Sequence, residues 1–297
     1  MKRKDSFQRF KLFFNRLSEY ELRRLDSRDL SIEDVTTSLK GGSLYFLGFY
    51  SRAGIDLAFK KYGFYEELEK RGFRDFQLVL DTRDPFRQRL ALYSETVDPE
   101  RLLAEIVVRR QSIRLDAELA GPELAAREFE VLYVEWLCLQ NPRAEFTGER
   151  PRLPGQAYPG LGLGWVAQTF LLLTCRRLRL PAILNVPEYF HNAHIYSKGF
   201  HYIDPVFEGR RRTLSRDLVG PMTLADASWA IDRGCVLENG EPFEWFVKRE
   251  LYPLGAELRG YFESEWYSAA VAEAEAAVEY RIDTAKWDAF LRERDGG

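Results

Sequence analysis

The chain has 297 residues, 45% of them hydrophobic and 30% charged, with a formal net charge of -3. A chain of that size can bury one sizeable core or two modest ones, and its near-neutral charge leaves no global basic field for nucleic acid. The three cysteines, Cys138, Cys175 and Cys235, are odd in number, far apart and in no CxxC pair, which argues against a disulfide framework or a structural zinc site and for reduced thiols in a cytoplasmic protein.

The N-terminus begins with basic residues but has no uninterrupted apolar stretch and no small-residue cleavage site, so it reads as no signal peptide. Phe7, Phe10, Phe13, Phe14 and Leu17 recur at helical spacing with lysines and arginines between them. Residues 1–40 are therefore expected to be an amphipathic helical extension laid on the domain, with a membrane surface or a partner as the alternative. No window reaches the roughly 18 uninterrupted apolar residues of a transmembrane helix.

Next comes "SLYFLGFYS" (43–51), an aromatic run bounded by glycines that predicts a strand. Residues 54–72 predict one broken helix or two short ones, with Gly63 at the break. Two strands joined at Asp84-Pro85 follow, and then residues 101–113, whose β-branched residues lean the segment towards strand. A short helical excursion precedes "FEVLYVEWLCLQ" (129–140), the strongest strand pattern in the chain, which stops at Asn141-Pro142. Beyond it the spacing of Val166, Phe170, Leu173, Arg177 and Leu180 predicts a helix opened by Gly160, Gly162 and Gly164. "AILNV" then reads as a strand, "EYFHNAHIYSKG" as a short helix closed by Gly199, and "FHYID" as extended.

Glycines at a helix start admit a ligand to unpaired amides, which favour an anion such as phosphate; a tight packed loop is the alternative. The strand after the helix ends without an Asp for a ribose, and there is no Gly-Lys-Ser/Thr, so both common phosphate-loop folds are disfavoured. The loop "YPGLGLG", the strand "AILNV" and the helix "HNAHIYSKGF" together resemble the GNAT superfamily of N-acetyltransferases, specifically over residues 156–202 and loosely over 43–155. The resemblance implies a mixed α/β fold (α+β), with a mostly antiparallel central sheet flanked by helices, as a core over 41–205. It implies acetyl-CoA, or another acyl-CoA, as co-substrate. The pyrophosphate would lie on the amides of Leu161, Gly162, Leu163 and Gly164, with Asn192 on the cofactor side and the pantetheine arm between the strands at 129–140 and 182–186. Tyr196 would be the general acid for the departing thiolate.

An amine acceptor, small molecule or protein, also needs a base. Glu135 on the 129–140 strand is the candidate, with an ion pair to nearby arginines as the alternative. Arg143, Arg150 and Arg152 would suit the 3'-phosphate of coenzyme A, or simply a solvated loop. His191, His194 and His201 are the only histidines, and with Glu188 they offer metal-ligand types, but their spacing drifts around a helix, so no metal is expected. Residues 206–297 are expected to be a helical extension packed on the core. From Leu251 onward ten acidic residues face five basic ones, opposite in sign to the basic first thirty residues, so the ends are expected to meet within one molecule or across a homodimer. The reading is an acyl-CoA-dependent N-acyltransferase. The alternatives are a non-catalytic ligand-binding or interaction protein on the same fold, and a His/Glu metal-dependent hydrolase.

Overall fold

A computed structural model of the chain describes residues 17–25 and 43–296. Phe7, Phe10, Phe13, Phe14 and the greater part of the expected 1–40 helix lie outside the described residues. Contacts divide the chain into two compact units whose segments alternate along the sequence. The first comprises Met1–Gln111, Glu130–Glu145 and Tyr158–Leu180; the second comprises Ser112–Phe129, Phe146–Ala157 and Pro181–Gly297. These cuts differ from a division at residues 40 and 205. Seven strands form mostly antiparallel sheet flanked by helices, four in the first unit and three in the second.

In the first unit, α1 (Glu19–Arg23) starts at a capping box in which Ser18 accepts from the Glu21 amide and Glu21 reaches back to Ser18. Ser51 caps α2 (Arg52–Lys61) by accepting from the Gly54 amide at 3.0 Å. Gly54 is required there, because a Cβ would stand 2.1 Å from the Leu22 carbonyl oxygen. The helix pattern breaks at Gly63, φ 75°, before α3 (Phe64–Glu69). Strands β1 (Phe76–Asp81) and β2 (Gln88–Ser94) pair antiparallel, and Asp84 holds their turn by accepting from the Phe86 amide. The meander continues through β3 (Leu102–Ile113) to β4 (Phe129–Leu139) in the order β1-β2-β3-β4. Then α4 (Gly164–Leu178) runs to a left-handed Arg179.

Residues 43–51 are not the expected strand. Leu47 and Gly48 take positive φ (54° and 70°), and the run folds into a turn closed by a bridge between Phe46 and Tyr50. Its aromatic composition serves burial in both cases, and the left-handed pair at Leu47-Gly48 decides for the turn.

The second unit holds the helix Ala117–Ala125, kinked at Gly121, and then β5 (Ala182–Asn185), α5 (Phe190–Tyr196) and β6 (His201–Tyr202). It continues with α6 (Pro205–Leu218), capped by Asp204 with Pro at its first position, and α7 (Leu224–Asp232), capped by Thr223. Strands β7 (Val236–Glu238), β8 (Glu241–Pro242) and β9 (Glu250–Pro253) precede α8 (Ala256–Phe262), α9 (Glu265–Ala277), β10 (Tyr280–Ile282) and α10 (Thr284–Gly296). The segment after residue 206 is therefore not wholly helical. β9 inserts between β5 and β6, and β10-β7-β8 make a small second sheet. The long helical pattern of residues 255–282 is interrupted at Ser264, which caps α9, and ends where Val278 turns extended. Gly209 lets α6 meet α9, since a Cβ would lie 2.6 Å from that of Ala274. Among the described residues no helix is long and apolar enough to cross a membrane.

Candidate functional site

The glycine loop belongs to the first unit and is clipped to the end of β4. The Asn141 amide donates to Pro159 O at 2.7 Å and the Leu161 amide to Leu139 O at 3.2 Å, while Arg71 Nε donates to Leu161 O at 3.0 Å. Leu161 is thereby removed from the expected anion-binding set: its amide is spent on the strand. The amides of Gly162, Leu163 and Gly164 find no acceptor among the described residues, and the N-cap Leu163 has no side chain with which to cap α4. Gly162 is exposed at φ 70°, with nothing within 4 Å of a Cβ built on it. Leu163 itself is wholly buried, so the exposed part of this uncapped head is Gly162 with, in part, Gly164, and an uncapped N-terminus of a 15-residue helix attracts an anion.

Glu135 lies on β4 as expected but not in an apolar setting. Arg87 Nε donates to it at 2.7 Å and Arg109 Nε reaches its other oxygen at 3.1 Å, while Arg109 also covers the Tyr133 ring. The ion-paired alternative holds for this residue. Arg143 is also committed, to Gly72 O at 2.9 Å and Glu95 at 2.6 Å over the Phe73 ring. In the second unit, Arg152 donates to Gln156 O at 2.8 Å, and Arg150 is exposed beside Thr147.

Tyr196 and Asn192 both sit on α5 in the second unit, each half-buried. Burial pushes the Tyr196 phenol above its ordinary range, and the Glu250 charge adds to the rise. Glu250, which sequence reasoning missed, occupies the middle strand of three. It faces Asn185 on β5 and Tyr202 on β6 in register, and Asn185 Nδ2 donates to its carboxylate at 2.9 Å. It is 1% exposed, and burial lifts its carboxyl to about 8, with Asn185 and Arg211 drawing it back and Glu208 pushing it further. Glu208 on α6 is the converse. Burial would raise it, but His201, Arg211 and Arg212 hold it at about 2. Arg211 Nη2 donates to it at 2.5 Å and Arg212 Nε at 2.9 Å. Two buried carboxyls of one unit are thus driven apart in acidity, one ionised and one keeping its proton near neutrality, a pattern that separates acid from base roles in active sites. The Tyr202 hydroxyl, also buried, has no partner among the described residues.

This arrangement has a measurable sign. Glu250 in the folded chain holds its proton up to about pH 8 against 4.5 for an ordinary carboxyl, so its contribution to stability is complete below 4.5 and lost as pH rises through 8. His191, held neutral by burial down to about 4, works in the opposite direction below 6.5. The window from pH 6.5 to 8 therefore isolates Glu250. Glu250→Gln should gain on the wild type by up to about 1.4 kcal/mol per pH unit across it. Urea unfolding at pH 6.5, 7.25 and 8 measures the gap, and parallel curves for the two proteins would remove the raised acidity constant.

The three histidines are not gathered. His191 is buried and stacked on Tyr189 with its Nδ1 unpartnered among the described residues; His194 Nδ1 is 3.0 Å from Ser215 Oγ; His201 Nδ1 is 3.9 Å from Glu208. No group of three potential metal ligands occurs among the described residues. All three cysteines are free, with Cys175 and Cys235 buried. Comparison with protein-family models and with curated proteins finds no match for this chain.

Proposed function

We propose that the chain is an acyl-CoA-dependent N-acyltransferase acting on a small-molecule or protein amine. The observation that carries the reading is the uncapped head of α4, where the amides of Gly162 and Gly164 are unpaired and their residues reach the surface, in the chain order strand, glycine loop, helix, strand, Asn/Tyr helix that resembles the GNAT superfamily. The loop would receive the pyrophosphate of coenzyme A. The amine nitrogen attacks the thioester carbonyl carbon, the carbon–sulfur bond breaks, and the Tyr196 phenol gives its proton to sulfur. The proton lost from nitrogen returns to the phenolate and closes the balance. Burial first, and then the Glu250 charge where that carboxyl is ionised, raise the proton affinity of the phenol, while Glu135, the base expected from sequence, is engaged by Arg87 and Arg109. Binding without catalysis is the second reading, favoured by the ion pairs that occupy Glu135.

The test uses the left-handed position. Valine at Gly162 would be strained by φ 70° whatever its effect on a ligand, whereas Asn and Asp tolerate that region. Both side chains fit, because nothing lies within 4 Å of the new Cβ. Gly162→Asp should weaken coenzyme A binding at least about tenfold relative to Gly162→Asn, since a fixed carboxylate would oppose the pyrophosphate in a poorly screened cradle. Isothermal titration with coenzyme A decides it. A wild type that does not bind the coenzyme, or equal affinities in the two variants, would sink the proposal.

A further inference from the structure

The first unit contains a cavity of about 130 Å³ between its helices and one face of its sheet. Ala58 and Phe59 of α2, Phe64 of α3, Leu132 of β4, and Ala167 and Phe170 of α4 form its main walls. Phe59, Phe64 and Phe170 meet edge to face, with centroids 4.9, 5.2 and 6.1 Å apart and interplanar angles of 65° to 73°, so the wall presents both ring faces and ring edges to the space. Among the described residues three polar side chains touch it, and each has a partner. The Tyr50 hydroxyl is hydrogen-bonded to Thr174, and Glu105 accepts from Arg89 Nε. None of the buried polar atoms left unpartnered among the described residues belongs to the lining.

Its lining is almost wholly apolar, and an apolar space of about 150 Å³ is known to accept benzene. We infer that this cavity is a binding site for a neutral aromatic ring of benzene size. The edge-to-face wall favours a ring over a chain of equal volume, because an entering ring meets complementary faces and edges at the separations aromatic pairs adopt. The inference needs no coenzyme and stands independently of the acyltransferase reading.

The experiment titrates the full chain with benzene, toluene and n-hexane, observed by ligand NMR. Benzene or toluene should bind below their solubility limits, and hexane more weakly than benzene. Ala58→Leu and Ala167→Leu fill the space from opposite helices, and either should reduce benzene affinity at least about tenfold by removing the volume the ring needs. Leu132→Ala enlarges the space and should admit naphthalene, which keeps the test open if a filled variant fails to fold. No binding of benzene or toluene to the wild type, hexane as tight as benzene or tighter, or benzene affinity unchanged in the filled variants would each overturn the inference. Coenzyme A affinity measured on the same Ala167→Leu sample separates this site from the loop.

Discussion

Arg211→Ala is expected to destabilise the second unit by about 3–5 kcal/mol, the range for breaking a buried ion pair from one side. Arg211 is 5% exposed and donates to Glu208, which is 0% exposed. Without it the carboxylate keeps only the half-exposed Arg212, the more distant His201 and the Tyr202 amide at 3.3 Å. The charge would then be poorly compensated, and Glu208 would have to take up a proton at a pH where it is now ionised. Urea unfolding at pH 7 should show the loss. The double variant Glu208→Leu, Arg211→Leu should recover a large part of it, because removing both charges also removes the desolvation cost of each. A single variant within about 1 kcal/mol of the wild type would mean that water reaches the pair and that burial does not set its strength. The same pair contributes stability that is complete above pH 4.5 and lost as pH falls through about 2, where Glu208 protonates.

Tyr196→Phe is expected to lower thiol release from an acyl-CoA by about 100- to 10,000-fold, the usual effect of losing a positioned proton donor. The ring stays, together with its edge-to-face contact with Phe200 at 6.2 Å, so coenzyme A affinity and the melting temperature should change little. Burial and the Glu250 charge keep this phenol protonated well into the alkaline range, so the wild-type rate should not fall through loss of the phenolic proton below pH 9. An unchanged rate in Tyr196→Phe would take the residue out of the chemistry. A melting temperature that falls in step with the rate would mark a structural tyrosine instead.

Much of the chain's local architecture could be read from adjacent residues because its determinants are adjacent. The break at Gly63, the Asp84-Pro85 turn, the Thr223 cap and the helix after the glycine loop each depend on a few neighbours in sequence. The unsatisfied amides at Gly162 to Gly164 follow in the same way, from a helix start with no capping side chain. Glu250 was not legible. Its character comes from burial on the middle of three strands, between Asn185, 65 residues away, and Tyr202 on a third strand, and no local pattern marks "KREL" as the centre of a sheet. Glu135 was legible as a strand carboxylate, but the arginines that hold it come from residues 87 and 109, and only the register of the meander brings them there. Residues 43–51 misled for a different reason: a buried aromatic turn and a buried aromatic strand have the same composition, and only the backbone sign at Leu47 and Gly48 separates them.

The alternation of the two units along the chain has a consequence for synthesis. The first unit needs residues up to Leu180 and the second takes Ser112–Phe129 from the midst of the first, so neither is complete when its earliest segment leaves the ribosome. At about 5–20 residues per second, the β1-β2 hairpin waits several seconds for α4, and the helix at 117–125 waits longer for the strand at 280–282. During that interval the apolar faces of β2 and β3 are bare. The nascent chain should therefore depend on chaperone shielding more than a protein whose units are contiguous, and a stop codon after Leu180 would release every segment of the first unit together with two stranded segments of the second.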